Sequence, residues 1–341
     1  MNISINKQDQ MPLYRQICLQ IRQQIREKAL LPGQLLPSLN KLAIQLGISR
    51  ETTKKAYNCL IRERLLSTQP GKGVFVAGER DPEVKEILLV LDKQSVYKQQ
   101  LVQAFQETLG GKAHITILLH NQNPDLLEYY LDQHLDRYDY YVISPHFPLD
   151  VRTQGRAAKI ISRIPNRKLI MIDYWLKGVA GNYGVVYQDF RHDAYEGLTE
   201  GKDDIVRSGS LKVVVLPTSL YGHIILEAVS DFAHNNGIAL SVFADVPERF
   251  EKGDVVLVLN SQLDSGLALL ARRIGECGLR PGGDVRIICY NELPLNEVVL
   301  GGLTTISTDF PQMGRLAAEM ILSGKTEKIH NPFRLTRRKT F

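Results

Sequence analysis

The sequence predicts an α/β protein with two parts, a small and mainly helical N-terminal domain and a larger domain built on parallel β-strands. The length of 341 residues exceeds what one ordinary small domain needs. Apolar residues have helical spacing at the start of the chain and form continuous runs from about residue 84 onward. Residues 1–76 contain twelve lysines and arginines against four acids, a net charge of +8, whereas the whole chain carries +5 and the remainder therefore −3. A basic segment attached to a slightly acidic one is typical of a nucleic-acid-binding domain joined to a domain of another kind.

Three helices are predicted in the basic segment. Apolar residues spaced four apart, from Leu13 to Ile25, indicate an amphipathic helix that ends at the Pro-Gly of LLPGQLLPS. A short second helix is expected to begin after Ser38, which is placed as an N-cap, and to end at Gly47. Ser49 is placed to cap the third helix.

A β-hairpin is predicted after the third helix, because STQPGKGVFV places two β-prone runs around Pro-Gly-Lys-Gly. Three helices followed by a hairpin form a winged helix-turn-helix, whose third helix fits the DNA major groove. Arg50 and Lys54 share one face of that helix, with Thr52 and Lys55 beside them. Lys72 in the hairpin offers a cation to a phosphate. A winged helix that mediates only protein contacts is the alternative.

This segment closely resembles the DNA-binding domain of the GntR family. The elements PLY, PG..LPS, LA..LG.SR.T...AY..L and G.G.FV occur in order across about 65 residues. The resemblance implies DNA contacts by Arg50, Thr52, Lys54 and Gly71 of the hairpin. The family usually has arginine where this chain has Asn40, so a different operator preference is expected. The candidate DNA-binding residues are Asn40, Ser49, Arg50, Thr52, Lys54, Lys55, Gly71 and Lys72.

Eight continuous apolar runs in the rest of the chain predict buried parallel strands with helical crossovers. Polar residues stand where several runs end, namely Asp92, Ser144, Asp173, Asn260 and Asn291. Because ligands bind at the carboxyl ends of strands in open α/β sheets, these residues are expected to line a pocket. The pattern alone leaves one large sheet or two lobes open. The runs occupy residues 86–92, 114–120, 140–145, 168–173, 211–217, 238–243, 254–260 and 285–291.

Residues 84–341 resemble, over nearly their whole length, the LacI-type effector domain, a relative of periplasmic sugar-binding proteins. The resemblance is carried by LIMIDYW, VVYQDFRHDAYEG, GHIILEAVSDFAHNNGI, NSQLDSGLALLARRIGECGLRPGGDVRIICYNE and LTTISTDFPQMGRLAAEMIL. It implies two Rossmann-like lobes joined by three crossovers, with a ligand held between them. The glycine-containing segment 177–197 is one expected crossing between the lobes.

The predicted fold is therefore an N-terminal winged helix-turn-helix domain followed by a two-lobed periplasmic-binding-protein-like domain with parallel sheets. Its predicted parts are a DNA-binding domain over residues 1–76, a linker over 77–85 and a ligand-binding domain over 86–341. This combination also resembles the arabinose repressors of some bacteria. It implies a ligand-responsive transcriptional regulator that dimerises through the larger domain and binds a palindromic operator in double-stranded DNA.

The resemblance implies ligand contacts from loops that follow the strands. His223 stands where the family usually has arginine, which disfavours a carboxylate-bearing ligand. Amides beside an aromatic wall suit a neutral polyhydroxyl ligand, so the expected effector is a monosaccharide such as a pentose or a 6-deoxyhexose. There are two alternatives. The chain could be a regulator that senses a nucleobase or another metabolite, or a sugar-binding module without a role at DNA. The candidate ligand-binding residues are Tyr97, Lys98, Ser144, His146, Tyr174, Trp175, Asp189, His223, Glu227, Asn260, Gln262, Asn291 and Glu292.

Several of these candidates also have purely structural alternatives. Trp175 would serve equally as a surface residue of one lobe, and His146 and His223 as buried or capping histidines. Asn260 and Asn291 would serve as caps of the helices that follow them. Taken together, these residues are stronger evidence for a ligand-binding site than any one of them is alone.

Other protein classes are disfavoured by what the sequence lacks. No stretch approaches the roughly 20 apolar residues of a membrane span, and the start MNISINKQDQ lacks the apolar core of a signal peptide. Four scattered cysteines and eight histidines show no metal-ligand spacing. No G-x-S-x-G, Walker A or HExxH motif occurs. The expectation is a cytoplasmic protein that is not an enzyme and needs neither cofactor nor metal.

Overall fold

The chain forms two compact units in the computed structural model. The smaller unit comprises Met1–Glu86 with His134–Asp139, and the larger one Ile87–Gln133 with Tyr140–Phe341. Most of the predicted linker, residues 78–83, lies outside the described residues, so the linker and the domain boundaries stay predictions. The residues that the structure describes are 1–69, 72–77, 84–217, 219–259 and 265–341.

The smaller unit contains the three helices and the hairpin that the sequence predicts. The Ser38 hydroxyl accepts the backbone N–H of Lys41 at 3.2 Å, and the Ser49 hydroxyl that of Thr52 at 3.2 Å, so both serines cap as expected. Gly47 ends the second helix with a φ of +59°, a left-handed conformation that favours glycine. The elements are α1 (Leu13–Arg26), α2 (Leu39–Leu46), α3 (Arg50–Arg62) and the antiparallel pair β1 (Leu66–Gln69) and β2 (Gly73–Val76).

One apolar core holds the three helices together. Ile17 and Ile21 of α1 are fully buried together with Tyr57 and Leu60 of α3 and Leu42 of α2. The Tyr57 hydroxyl donates to the carbonyl of Pro37 at 2.9 Å, so its burial leaves no unpaired polar group. Because this core takes up the apolar stripe of α3, the polar side of the helix faces solvent.

The larger unit is built from two lobes, each with a six-stranded sheet among the described residues. The N-lobe sheet has the order β13-β7-β6-β5-β3-β4. Its strands β3, β5, β6, β7 and β13 pair in parallel. Its elements are β3 (Lys85–Leu91), α4 (Val96–Leu109), β4 (Ala113–Leu119), α5 (Pro124–His134), β5 (Tyr140–Ile143), α6 (Val151–Ile161), β6 (Leu169–Asp173), β7 (Gly184–Tyr187), α11 (Phe310–Ser323) and β13 (Lys328–His330).

The C-lobe sheet has the order β14-β12-β11-β10-β8-β9. Its pairs are parallel except for β12 with β14, which is antiparallel and closes one edge of the sheet. Its elements are α7 (Phe190–Thr199), α8 (Lys202–Ser208), β8 (Ser210–Val214), α9 (Gly222–Asn235), β9 (Ala239–Phe243), β10 (Val255–Val258), α10 (Ser265–Glu276), β11 (Arg286–Tyr290), β12 (Thr304–Thr308) and β14 (Phe333–Thr336).

The chain passes between the lobes three times, as the resemblance implied. It leaves the N-lobe after β7, returns after β12 and leaves again after β13. The first crossing lies in segment 177–197, where it was expected. The described residues include no helix long and apolar enough to span a membrane.

All eight predicted strands are present, and four further strands of the larger unit were missed. β7, β13 and β14 have only three or four residues each. β12 has the sequence TTIST and is buried along its whole length. Four of its five residues carry hydroxyl groups, so the sequence does not show the apolar run of a buried strand. Such short or polar strands lack the apolar run by which the others were found.

Candidate functional site

A cleft of about 410 Å³ lies at the carboxyl ends of the strands of both lobes. From the N-lobe it is lined by Asp92, which follows β3, and by Gln188, which follows β7. From the C-lobe it is lined by Leu216 after β8, Leu259 after β10 and Asn291 after β11. This is the place where open α/β sheets bind ligands, and where the sequence predicts a pocket.

A buried ionic network forms the N-lobe wall of the cleft. Lys98, in the first turn of α4, is only 5% exposed, and its Nζ lies 3.0 Å from Oδ1 of Asp92. The same Nζ contacts the carboxylate of Asp173 and donates to Oγ of Ser144 at 2.7 Å. The Ser144 hydroxyl in turn donates to Asp92 at 3.1 Å. One buried cation is thus held between two buried carboxylates.

In this network, the attraction between opposite charges offsets the effect of burial on the pKa of each group. Burial opposes ionisation of Asp92 and of Asp173, yet the adjacent Lys98 and His146 outweigh it, so the pKa of both carboxyls is lowered. Burial likewise opposes the charge on Lys98, and the two carboxylates outweigh it, so its pKa is raised. Lys98, Asp92 and Asp173 are therefore expected to be ionised in the N-lobe wall.

His146 joins this network to the C-lobe. Its Nε2 lies 2.8 Å from Oδ2 of Asp173, and its Nδ1 lies 2.7 Å from the hydroxyl of Tyr221 in the C-lobe. Because an ionised carboxylate can only accept, Nε2 carries the proton. If Nδ1 carries no proton, it accepts the O–H of Tyr221. Burial raises the pKa of Tyr221 well above 10, which keeps that proton on the phenol.

Two buried polar atoms at the cleft have no hydrogen-bond partner among the described residues. They are the hydroxyl of Tyr290, a residue 3% exposed, and Oε1 of Gln188, a residue 6% exposed. The Gln188 amide nitrogen donates to Asp173, which fixes the side chain with its oxygen unpaired. Buried polar groups are nearly always satisfied, so the lack of a partner for these two atoms, in residues that line the cleft, requires an explanation.

The C-lobe wall is aromatic and apolar. Tyr221 stacks on Phe190 with ring centroids 3.9 Å apart and an interplanar angle of 13°. Leu220, Ile225 and Leu259 line the cleft beside them. A flat apolar surface of this kind suits the CH face of a sugar ring or the face of a planar heterocycle.

The first two crossings between the lobes carry the same Asp-Phe pair. Asp189 caps α7 by accepting the N–H of His192 at 3.2 Å, and Asp309 caps α11 by accepting that of Gln312 at 2.8 Å. The next residue in each case, Phe190 or Phe310, lines the cleft. Capping thus places one phenyl ring in the cleft from each crossing.

Two strand-end residues that line the cleft have left-handed backbone conformations. Asp173 ends β6 with a φ of +73°, and Asn291 follows β11 with a φ of +74°. Non-glycine residues adopt this conformation at a cost and are concentrated at functional sites.

The structure brings together five of the predicted ligand-binding residues. Tyr97, Lys98, His146 and Asn291 line the cleft, and Ser144 lies directly behind Lys98. Tyr174 is adjacent, with its ring 5.4 Å from that of Tyr221. Asp92 and Asp173 line the cleft, as the sequence predicts for polar residues at strand ends, although they were not among the candidate ligand contacts. Sequence reasoning gave no indication of Gln188, Phe190, Tyr221 or Tyr290, which also line the cleft.

Five other predicted ligand-binding residues do not line the cleft and have other partners or full exposure. The Trp175 ring packs on Tyr187, and Asp189 is the helix cap described above. Glu227 lies 3.7 Å from Arg191, and Glu292 pairs with both terminal nitrogens of Arg338 at 2.9–3.0 Å. His223 is an exposed residue of α9. Asn260 and Gln262 lie outside the described residues.

The predicted DNA-binding residues on α3 present an exposed cationic surface. Arg50 is exposed and has no ion pair among the described residues, while Lys54 lies 3.9 Å from Glu51 in a loose surface pair. Lys55 instead rests on the ring of Tyr14, with Nζ 4.4 Å from the centroid. Asn40, Ser49 and Lys72 are exposed, Thr52 is partly buried, and Gly71 lies outside the described residues.

Comparisons with known proteins match the two units separately. Residues 13–76 match the profile of the bacterial regulatory proteins of the gntR family, and residues 219–340 match that of the periplasmic binding protein-like domain. The HTH-type transcriptional repressor NagR of Bacillus subtilis is 43% identical over 75 residues, which are 22% of this chain and 31% of the relative. The uncharacterized HTH-type transcriptional regulator YhcF of the same organism is 37% identical over 116 residues, 30% of this chain and 96% of that protein. The match to NagR thus spans less than a third of that relative.

Solved structures match the larger unit in fold. The trehalose repressor from Escherichia coli superposes with a TM-score of 0.58 at 14% identity, over 74% of this chain and 99% of that one. The lac repressor dimer bound to operator and the anti-inducer ONPF gives 0.56 at 17% identity, over 76% and 95%. A LacI family regulator from Lactobacillus casei with bound sucrose gives 0.55 at 14% identity, over 75% and 99%. At these identities the likeness concerns the fold, which the sequence predicted.

Proposed function

Because the chain belongs to the GntR family of bacterial regulatory proteins and carries a periplasmic-binding-protein-like domain, we propose that it is a DNA-binding transcriptional repressor controlled by a small polar effector bound in the cleft. The observation that carries the effector site is a pair of buried polar atoms at the cleft, Tyr290 Oη and Gln188 Oε1, for which the described part of the chain offers no partner. A hydroxyl group can satisfy either atom, since it both donates and accepts.

A monosaccharide such as a pentose or a 6-deoxyhexose is the effector that this cleft suits best. Its volume of about 410 Å³ is near the lower end for small-molecule sites. The charged N-lobe wall offers acceptors and a donor to hydroxyl groups, while Phe190 and Tyr221 offer rings to the opposite face of the sugar. Relatives in fold include a repressor named for trehalose and a regulator with bound sucrose. A nucleobase is the second candidate, because the same stacked rings would accept a planar heterocycle.

The operator-binding surface is the exposed side of α3 with the hairpin. The first turns of α3 bring Arg50 and Lys54 to the position from which a recognition helix reaches bases and phosphates. A dimer formed through the larger domain would present two such helices to the two halves of a palindromic operator. The lac repressor structure shows one relative in fold as a dimer on its operator.

Effector control is expected to act through closure of the lobes around the cleft. The bond between His146 and Tyr221 joins the lobes, so an effector that binds there has to replace or extend it. Only a difference in effector affinity between two arrangements of the lobes can change affinity for DNA.

A thermal-shift panel tests the effector. The full chain is heated with pentoses, 6-deoxyhexoses, hexoses, disaccharides and nucleobases, since a ligand that binds only the folded state raises the melting temperature. A rise with one monosaccharide supports the proposal. A rise with nucleobases alone overturns the sugar assignment, and the absence of any rise across the panel overturns the effector site.

Operator binding is tested on a duplex selected from a random pool by the full chain. Arg50→Ala is expected to weaken binding by about 1–3 kcal/mol, because a bidentate contact is lost. Arg26→Ala removes an equal charge from the exposed end of α1 and serves as the matched control. Fluorescence anisotropy at fixed salt measures both variants. Equal losses in the two variants, or the selection of no preferred duplex, would contradict the assignment of α3 as the recognition helix.

A further inference from the structure

A cluster of potential metal ligands lies beside the crossings between the lobes, and none of its members lines the cleft. His192 and Asp193 are neighbours in the first turn of α7, and His330 is the last residue of β13. One ligand atom from each of the three residues lies within 4.8 Å of the other two. Two imidazole nitrogens and one carboxylate oxygen therefore lie close together on the larger unit.

Two of these three donors are already held in place. Asp193 is 1% exposed, with Oδ1 at 2.6 Å from Nε2 of His330 and Oδ2 accepting the backbone N–H of Asp189 at 2.8 Å. The His330 ring stacks on Tyr187 with centroids 5.4 Å apart, which restricts its rotation. His192 is exposed, and its ring centroid is 5.5 Å from that of His330. His192 is thus the one ligand of the three that would have to be drawn in by the ion.

The carboxylate of Asp193 is the buried member of the cluster. A divalent ion at this position would place a positive charge beside it.

We propose that His192, Asp193 and His330 bind a divalent transition-metal ion, with Zn²⁺ as the best match. Zinc takes histidine nitrogen and carboxylate oxygen at about 2.0–2.2 Å and completes a tetrahedron with a water molecule when the protein supplies three ligands. Calcium and magnesium prefer oxygen ligands throughout and suit this donor set poorly. The hydrogen bond from the Asp189 backbone to Asp193 orients the carboxylate as a supporting contact does in known metal sites.

An ion at this place joins the two lobes. α7 packs in the core of the C-lobe through Ala194 and Leu198, whereas β13 pairs with β7 of the N-lobe. Both ligand-bearing segments adjoin a crossing, the one before α7 and the one after β13. A metal bridge would therefore resist any movement of one lobe against the other at these crossings.

Isothermal titration of the metal-stripped full chain with ZnCl₂ tests the site. One ion per chain is expected, with His192→Ala and His330→Ala each weakening the affinity by more than the roughly tenfold to hundredfold that the loss of a supporting contact costs, or abolishing binding. His234→Ala, which removes an exposed histidine from the last turn of α9, is the matched control and is expected to bind as the parent protein does. The proposal is overturned if the parent protein binds no Zn²⁺, or if the His192 and His234 variants bind alike.

A second readout separates this site from adventitious binding by a thiol such as the exposed Cys277. The chain is loaded with Co²⁺ in place of zinc, and visible absorption is recorded. Ligand-field bands without a thiolate charge-transfer band, lost in His330→Ala, support the site. A thiolate band, or a spectrum that His330→Ala leaves unchanged, overturns it.

Discussion

The two walls of the cleft differ in the kinds of side chain that they bury and present to a ligand. The N-lobe wall buries charges, Lys98 between Asp92 and Asp173, and pairs them with one another. The C-lobe wall buries rings and aliphatic side chains and leaves the hydroxyl of Tyr290 unpaired. The difference indicates that the charged groups of the N-lobe wall are held by one another, whereas the C-lobe wall supplies mainly apolar contact and a hydroxyl, that of Tyr290, with no partner among the described residues.

The largest effect is expected from breaking the N-lobe wall. Lys98→Met removes the cation and leaves two carboxylates buried without compensation, so the free energy of unfolding should fall by about 3–5 kcal/mol. Urea unfolding at pH 7 measures it. Lys93→Met, at an exposed lysine on the rim of the same cleft, is the matched control. If Lys98→Met costs no more than a surface ion pair, which is about 1 kcal/mol or less, the walls do not differ as described.

A smaller effect with a different signature is expected on the C-lobe wall. Tyr290→Phe removes a hydroxyl that has no partner among the described residues, so stability should be unchanged or slightly higher. Affinity for the best sugar of the thermal-shift panel should fall by about 0.5–1.5 kcal/mol, because one hydrogen bond to the ligand is lost. Urea unfolding and isothermal titration measure the two quantities. A loss of stability with unchanged affinity would mean that the hydroxyl serves the fold instead.

An effect of similar size, but on stability instead of affinity, is expected from breaking the hydrogen bond between the two walls. Tyr221→Phe removes the bond to His146, which should lower the free energy of unfolding of the ligand-free chain by about 0.5–1.5 kcal/mol. Tyr129→Phe, at a tyrosine 58% exposed on α5, is the control and should cost nothing measurable. Equal stability of the two variants would show that the bond between the walls contributes little.

The sequence predicted the smaller unit well because its signals are local. Ser38, Gly47 and Ser49 mark helix ends by their own chemistry, and each does so in the structure. The buried strands of the larger unit were found for a similar reason, since a continuous apolar run is a property of one segment. β12 was missed because its threonines and serine are buried by neighbours that the segment itself does not reveal.

The residues of the cleft that could be predicted from the sequence are those that lie at or near the end of a strand. Lys98, Ser144 and Asn291 follow this rule or lie one turn beyond it, whereas Tyr221 and Phe190 come from the starts of helices that the fold alone brings together. The same limit explains why the absence of metal-ligand spacing in the sequence did not exclude a metal site. Asp193 and His330 touch across 137 positions of the chain, and no local motif can report such a pair.

The left-handed backbone at Asn291 has a consequence for how this position can change over generations. Glycine adopts a φ of +74° without the penalty of roughly 1 kcal/mol that a side chain incurs there. A population of variants selected for folding alone should therefore drift toward glycine at position 291. A population selected for ligand binding should keep asparagine if this side chain contacts the ligand, as the sequence predicts. The residue recovered from such a library reports which of the two pressures the cleft has experienced.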